Sequence, residues 1–175
     1  MIVSMVLNGK KVASEIDPGM TLLDFVRTQG CYSVKCGCET TSCGLCTVFL
    51  DDVPVLSCSV LAAGADGRRV TTLEGLQEEA AEFGGFLADQ GAEQCGFCNP
   101  GMVMNTIAML RENPDPTEDE IKEYLSGNLC RCTGYESQLR AVKNYLDWKY
   151  SRGLYKGRGK KEETNEAECA AKEAQ

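Results

Sequence analysis

Histidine is absent from all 175 residues, and that zero removes a large part of cofactor and catalytic chemistry. Without imidazole there is no Rieske centre, no histidine-ligated haem, no mixed cysteine–histidine zinc finger and no histidine acid–base catalysis. Positive charge is short as well. The chain has 18 Lys and Arg against 26 Asp and Glu, a net charge of −8, which disfavours nucleic acid because phosphates need neutralising. No apolar run approaches the roughly 20 residues of a membrane span. The segment from Met1 to Leu7 lacks a basic start and meets Asn8-Gly9-Lys10-Lys11 too soon for the apolar region of an export signal. A soluble, cytoplasmic protein is expected.

Cysteine, by contrast, is abundant, at eleven residues. In the cytoplasm disulfides are uncommon, and clustered cysteine more often means metal or redox chemistry; an odd count also fits a disulfide framework poorly. Eight of the eleven fall into two sets of four. The first is Cys38, Cys43, Cys46 and the more distant Cys58, a C-x4-C-x2-C spacing used by plant-type 2Fe-2S ferredoxins. The second is Cys95-Gly96-Phe97-Cys98 with Cys130-Arg131-Cys132. Thiolate sulfur selects zinc, copper(I) or iron–sulfur clusters over hard cations. Zinc ribbons usually pair one C-x2-C with another, so the tighter Cys130-x-Cys132 and the upstream spacing both favour iron–sulfur over zinc.

The alternation of Val3, Met5 and Leu7, the Asn8-Gly9 turn and the resumption at Val12, Ser14 and Ile16 predict a β-hairpin. Thr21 with Asp24 three positions on predicts a capped helix to about Arg27. Thr47–Leu50 and Val53–Leu56 read as strands around Asp51-Asp52, and a further strand follows at Val70–Leu73. Residues 1–75 are thus a small α+β domain. Four helices are predicted over 76–90, 100–111, 118–125 and 135–150, a helical bundle over 76–150. Asn99-Pro100 reads as a cap with proline at the first helical position, and Thr117-x-x-Glu120 and Thr133-x-x-Glu136 as capping boxes. Val103, Ile107 and Leu110 form one apolar stripe, and Leu139, Val142, Tyr145 and Leu146 another. Cys98 and Cys132 each precede a predicted helix start, which would aim free N–H groups at an anionic centre. The region 151–175 is a charged tail with too little apolar surface to offset ordering, and it leaves Cys169 as a free thiol.

Cys43-Gly44-Leu45-Cys46-Thr47-Val48, Gln94-Cys95-Gly96-Phe97-Cys98-Asn99-Pro100-Gly101-Met102 and Gly127-Asn128-Leu129-Cys130-Arg131-Cys132-Thr133-Gly134-Tyr135 closely resemble the iron–sulfur subunit of the molybdenum hydroxylases. That family includes xanthine dehydrogenase, aldehyde oxidoreductase, nicotinate dehydrogenase and carbon monoxide dehydrogenase. The resemblance implies an α+β fold, a β-grasp (plant-type ferredoxin-like) domain followed by a four-helix domain, each with one 2Fe-2S cluster. The metal ligands it implies are Cys38, Cys43, Cys46 and Cys58, then Cys95, Cys98, Cys130 and Cys132. Gln94 and Cys132 are carried over as contacts to the molybdopterin cofactor held by a separate large subunit. An FAD-binding medium subunit or another acceptor would take the electrons.

No residue of the chain is suited to activating a substrate, so the two clusters read as a wire within a hetero-oligomer. The substrate belongs to the large subunit, with a purine or related N-heterocycle preferred. The alternatives are the same subunit type in an aldehyde oxidoreductase or carbon monoxide dehydrogenase, a stand-alone ferredoxin carrier, and a structural zinc module that binds a protein. Two departures from the family pattern stand out. Glu39-Thr40-Thr41-Ser42 fills a stretch that is usually glycine-rich, which restricts positive φ and offers hydroxyls to the cluster sulfurs. Cys31 and Cys36 fall outside the ligand register and are expected to be buried small apolar residues.

Overall fold

The computed structural model describes residues 1–154; the predicted tail beyond 154 and Cys169 lie outside the described residues. Strands β1 (Ile2–Leu7), β2 (Lys10–Glu15), β3 (Thr47–Leu50), β4 (Val53–Leu56) and β5 (Arg69–Thr71) form one mixed sheet in the order β2-β1-β5-β3-β4. β1 pairs antiparallel with β2 and parallel with β5. The hairpin turns where expected, with Asn8 at φ 49° and Gly9 at φ 79°, the two positive values a type I′ turn needs. Helix α1 (Leu22–Thr28) packs across the sheet. The Thr21 hydroxyl oxygen accepts from the Asp24 N–H at 3.1 Å, relieving one unpaired donor of the first turn. Val3, Met5, Leu7, Phe25, Val48 and Val70 fill the core between helix and sheet.

Helices α2 (Gln77–Asp89), α3 (Asn99–Glu112), α4 (Glu118–Leu125) and α5 (Glu136–Ser151) build a second core. Phe83, Phe86, Tyr145 and Trp148 meet there with ring centroids 5.2–6.0 Å apart. Thr117 and Glu120 make the expected capping box at α4. The other two helix starts differ from expectation. Cys98, not Asn99, is the N-cap of α3, and the Asn99 amide instead donates to Glu93 at 2.8 Å. Helix α5 begins after Tyr135, which adopts φ 71° and no side-chain cap. Its phenol oxygen swings back to accept from the Cys130 N–H at 2.9 Å. Only α3 therefore starts directly at a cysteine.

The two cores are pressed together. All four residues of β3 are buried, because Val48 and Leu50 face the α1 side while Phe49 enters the helical core. Helix α3 is likewise buried around most of its circumference, Met102, Met104, Thr106, Ala108 and Met109 included, rather than along the single predicted stripe. It lies between the other helices and the edge of the sheet.

Candidate metal centres

The seam between the halves is held by small residues and polar contacts. A Cβ on Gly101 would lie 2.4 Å from the Gly44 carbonyl oxygen, and one on Gly44, at φ 71°, 2.6 Å from the Gly127 carbonyl oxygen. Only glycine permits this approach. Asn105 donates to Thr47 Oγ1 at 3.2 Å and to Asn128 Oδ1 at 2.9 Å, and Thr47 donates to the Gly44 carbonyl at 2.8 Å. Most directly, the Leu129 N–H donates to the Cys43 carbonyl at 2.9 Å.

Both sets of four cysteines converge, and they do so as pairs. Cys46 Sγ and Cys58 Sγ are 3.3 Å apart, and the thiols of Cys38 and Cys43 hydrogen-bond each other. Cys95 Sγ and Cys132 Sγ are 3.5 Å apart, and Cys98 hydrogen-bonds Cys130. Single-ion zinc binding would bring all four sulfurs of a set around one point. Two pairs per set suit a centre with two irons, each gripped by two thiolates.

Electrostatics within the pairs is lopsided. Backbone N–H groups of Ser42 and Thr40 and the Cys43 thiol bring Cys38 down to about 6, while burial raises Cys43. Burial and the Cys46 thiol push Cys58 up to about 12. Burial and the Cys130 thiol push Cys98 up to about 12. For Cys130 burial acts upward too, but the Thr133 hydroxyl and the N–H groups of Cys132 and Thr133 prevail and hold it near about 7. The Phe97 N–H and the Cys132 thiol lower Cys95, whereas Cys132 is raised by Cys95. In three of the pairs one sulfur thus ionises before its neighbour. Binding a metal requires both as thiolates, so it releases protons.

A cleft of about 160 Å³ lined by Cys43, Cys95, Cys98, Cys130 and Cys132 lies where the halves meet. Cys95 and Cys132 are exposed while Cys98 and Cys130 are buried. Gln94 is exposed beside Cys95. The two cysteines outside the register part company. Cys31 is buried as expected, with the Asn8 amide 3.5 Å from its sulfur. Cys36, expected to be buried, is exposed, its sulfur 3.7 Å from the Cys38 carbonyl, because the loop runs at the surface over residues 36–37. The loop hydroxyls also differ from expectation. Thr40 and Ser42 bond each other at 2.9 Å and Thr41 donates to the Thr40 carbonyl, leaving backbone N–H groups to face the Cys38 sulfur.

Sequence reasoning missed Gln138 and assigned Thr133 only to a cap. Gln138 is 2 % exposed and donates to Cys98 Sγ at 3.8 Å. Thr133 Oγ1 lies 3.2 Å from Cys130 Sγ and donates to Gln138 Oε1 at 3.1 Å. The available signal was a polar residue in register with the buried stripe Val142, Tyr145 and Leu146 of α5.

Two family models match the chain: a 2Fe-2S iron-sulfur cluster binding domain over residues 5–88 and a [2Fe-2S] binding domain over 72–143. The nicotinate dehydrogenase small FeS subunit of Eubacterium barkeri is 43% identical over 144 residues, covering 81% of this chain and 92% of the relative. The chain belongs to the small iron–sulfur subunits of the molybdenum hydroxylases. Another such subunit, the xanthine dehydrogenase iron-sulfur-binding subunit of Escherichia coli O157:H7, is 44% identical over 141 residues, covering 78% of this chain and 88% of its own. Among solved structures, quinoline 2-oxidoreductase from Pseudomonas putida 86 superimposes with a TM-score of 0.79 at 38% identity, covering 89% of this chain and 98% of that chain. The α+β architecture, a β-grasp half followed by a helical half, is that of the family. As a small iron–sulfur subunit the chain is the electron-transfer component of an oxidoreductase, and both halves are of the 2Fe-2S-binding type. No helix among the described residues is long and apolar enough to cross a membrane.

Proposed function

We propose that the chain carries single electrons between two partner subunits, entering at the helical half and leaving at the β-grasp half. Cys95 and Cys132 would hold one iron and Cys98 and Cys130 the other of the helical-half cluster; Cys38 with Cys43 and Cys46 with Cys58 would do the same in the β-grasp half. When bound, such clusters accept and release one electron at a time, which separates the two electrons of a substrate oxidation. The observation that carries this reading is the hydrogen bond from Leu129 N–H to the Cys43 carbonyl at 2.9 Å. Leu129 is bonded to Cys130, so the two ligand sets are joined through backbone across one short contact.

Gln94 and Cys132, exposed on one face, would approach the molybdopterin of a large subunit, and Cys38 would face an FAD-binding medium subunit or another acceptor. The substrate of the complex would be a purine or related N-heterocycle, a reading supported by relatives named for nicotinate, xanthine and quinoline. The cytoplasm suits ten cysteines that form no disulfide among the described residues. Anaerobic purification of the complex with iron analysis and electron paramagnetic resonance tests the reading. About four irons per chain, two distinguishable 2Fe-2S signals and copurifying molybdopterin and FAD chains are expected. A small iron-containing monomer with no partners would overturn it in favour of a free ferredoxin.

A further inference from the structure

The two thiol pairs of the helical half have unlike surroundings. Cys95 and Cys132 are exposed, whereas Cys98 and Cys130 are buried and each has a side-chain hydrogen-bond partner beyond the pair. Cys98 Sγ also lies 3.8 Å from Asn99 Oδ1, but one residue reaches both sulfurs, Cys98 directly and Cys130 through Thr133. Gln138 presents its amide nitrogen to Cys98 Sγ at 3.8 Å and its amide oxygen to the Thr133 hydroxyl at 3.1 Å, and that hydroxyl lies 3.2 Å from Cys130 Sγ. A buried primary amide is costly unless its polar atoms are matched. Among the described residues the Gln138 side chain makes these two hydrogen bonds, one to the Cys98 sulfur and one to the hydroxyl beside the Cys130 sulfur.

We propose that Gln138 sets the reduction potential of the helical-half cluster by donating its amide N–H to the Cys98 sulfur. The proposal rests on Cys98 and Cys130 being cluster ligands. A metal-bound thiolate has no proton of its own, so the single Thr133 hydroxyl hydrogen is held between the Gln138 oxygen and the Cys130 sulfur. With the cluster bound, an added electron would make the Cys98 sulfur a better acceptor and would strengthen the hydrogen bond from the Gln138 amide. No covalent bond changes, the proton stays on Thr133, and the electron arrives from the molybdenum side and leaves to the acceptor. Donors to sulfur favour the reduced state and raise the potential.

The test is a potentiometric titration of the intact complex, following each cluster by electron paramagnetic resonance, in wild type, Q138L and Q138E. Q138L should disfavour reduction of the helical-half cluster by about tenfold, 59 mV for one electron, and leave the other cluster in place. Q138E keeps the size of the side chain, replaces the donor with negative charge above the carboxylate range and should shift it further in the same direction. Resonance Raman spectra of wild type should show a deuterium-sensitive iron–thiolate stretch that Q138L loses. An unchanged potential in an intact two-cluster complex, or equal shifts in both clusters, would refute the role of Gln138. A wild-type complex lacking a second cluster would overturn the ligand assignment itself, a distinguishable failure.

Discussion

Replacing Gly101 with alanine isolates the seam on which the two-cluster arrangement depends. The new methyl carbon would sit 2.4 Å from the Gly44 carbonyl oxygen and 2.9 Å from Leu45 Cα, both backbone atoms of the first cysteine loop. Even weak carbon–oxygen contacts lie at about 3.3 Å or more, so helix and loop must part by about 0.9 Å. A gap of that order forfeits a quarter to a half of the dispersion attraction for atom pairs across it. Overpacking typically costs 1–3 kcal/mol, and with rigid backbone on the far side we expect about 3 kcal/mol. For a chain of this size that is a fall of roughly 6–12 °C in melting temperature. Opening the seam also lengthens the Leu129–Cys43 contact, so spin–spin coupling between the two reduced clusters should weaken. The comparison is G85A. Gly85 is exposed inside α2 with no atom within 4 Å of its would-be Cβ, and alanine there should stabilise by about 0.5–1 kcal/mol. Thermal scans at one fixed rate and continuous-wave spectra of reduced protein decide the matter. G101A melting with wild type, its coupling intact, would refute the reasoning.

Three further outcomes follow from the geometry. C38S should lose one 2Fe-2S signal and about two irons, while C36S keeps both clusters; the reverse pattern in iron analysis would mean that Cys36 is the ligand. Thr41 is a β-branched residue at φ 54° in the first cysteine loop, a conformation costing about 1–2 kcal/mol, so T41G should raise the melting temperature and slow loss of that cluster under chelator. Burial pushes the Glu74 carboxyl upward, but hydrogen bonds from the Ser33 hydroxyl and N–H and from Thr72 outweigh it and leave it below its ordinary value. Its contribution to stability is therefore full above the unfolded carboxyl range and lost as pH falls through the depressed folded value. Denaturation midpoints of E74Q should approach those of wild type in acid and fall below them near neutrality.

Local signals read true wherever a few adjacent residues decide the outcome. Asn8-Gly9 set the hairpin, Thr21 the start of α1, and Thr117 with Glu120 the start of α4, because each uses contacts within a turn. Where tertiary demands compete, the local reading failed. Thr133 has the spacing of a cap, yet its hydroxyl is taken by Cys130 and Gln138, and α5 starts later behind a left-handed Tyr135. Val103, Ile107 and Leu110 mark one face of α3, but nothing in their spacing shows that the sheet edge and Phe49 cover other faces. The cysteine spacing located both thiol sets. It could not show that Cys36 is exposed, since Cys36 and Cys38 are only two positions apart in one irregular loop.

The order of burial along the thiols bears on how the chain is used. Cys95 and Cys132 are exposed, Cys98, Cys130, Cys43 and Cys46 are buried, and Cys38 and Cys58 are half-buried. A path through these sulfurs is thus open at the helical end, more accessible again at Cys38, and shielded between. A diffusing ferredoxin needs one accessible edge and no seam. Here the shielded stretch coincides with the glycine-lined contact between the halves, the part most costly to build and least useful to a single-cluster carrier. A relay between two partners needs a shielded middle and two reachable ends, and the burial of these thiols follows that order.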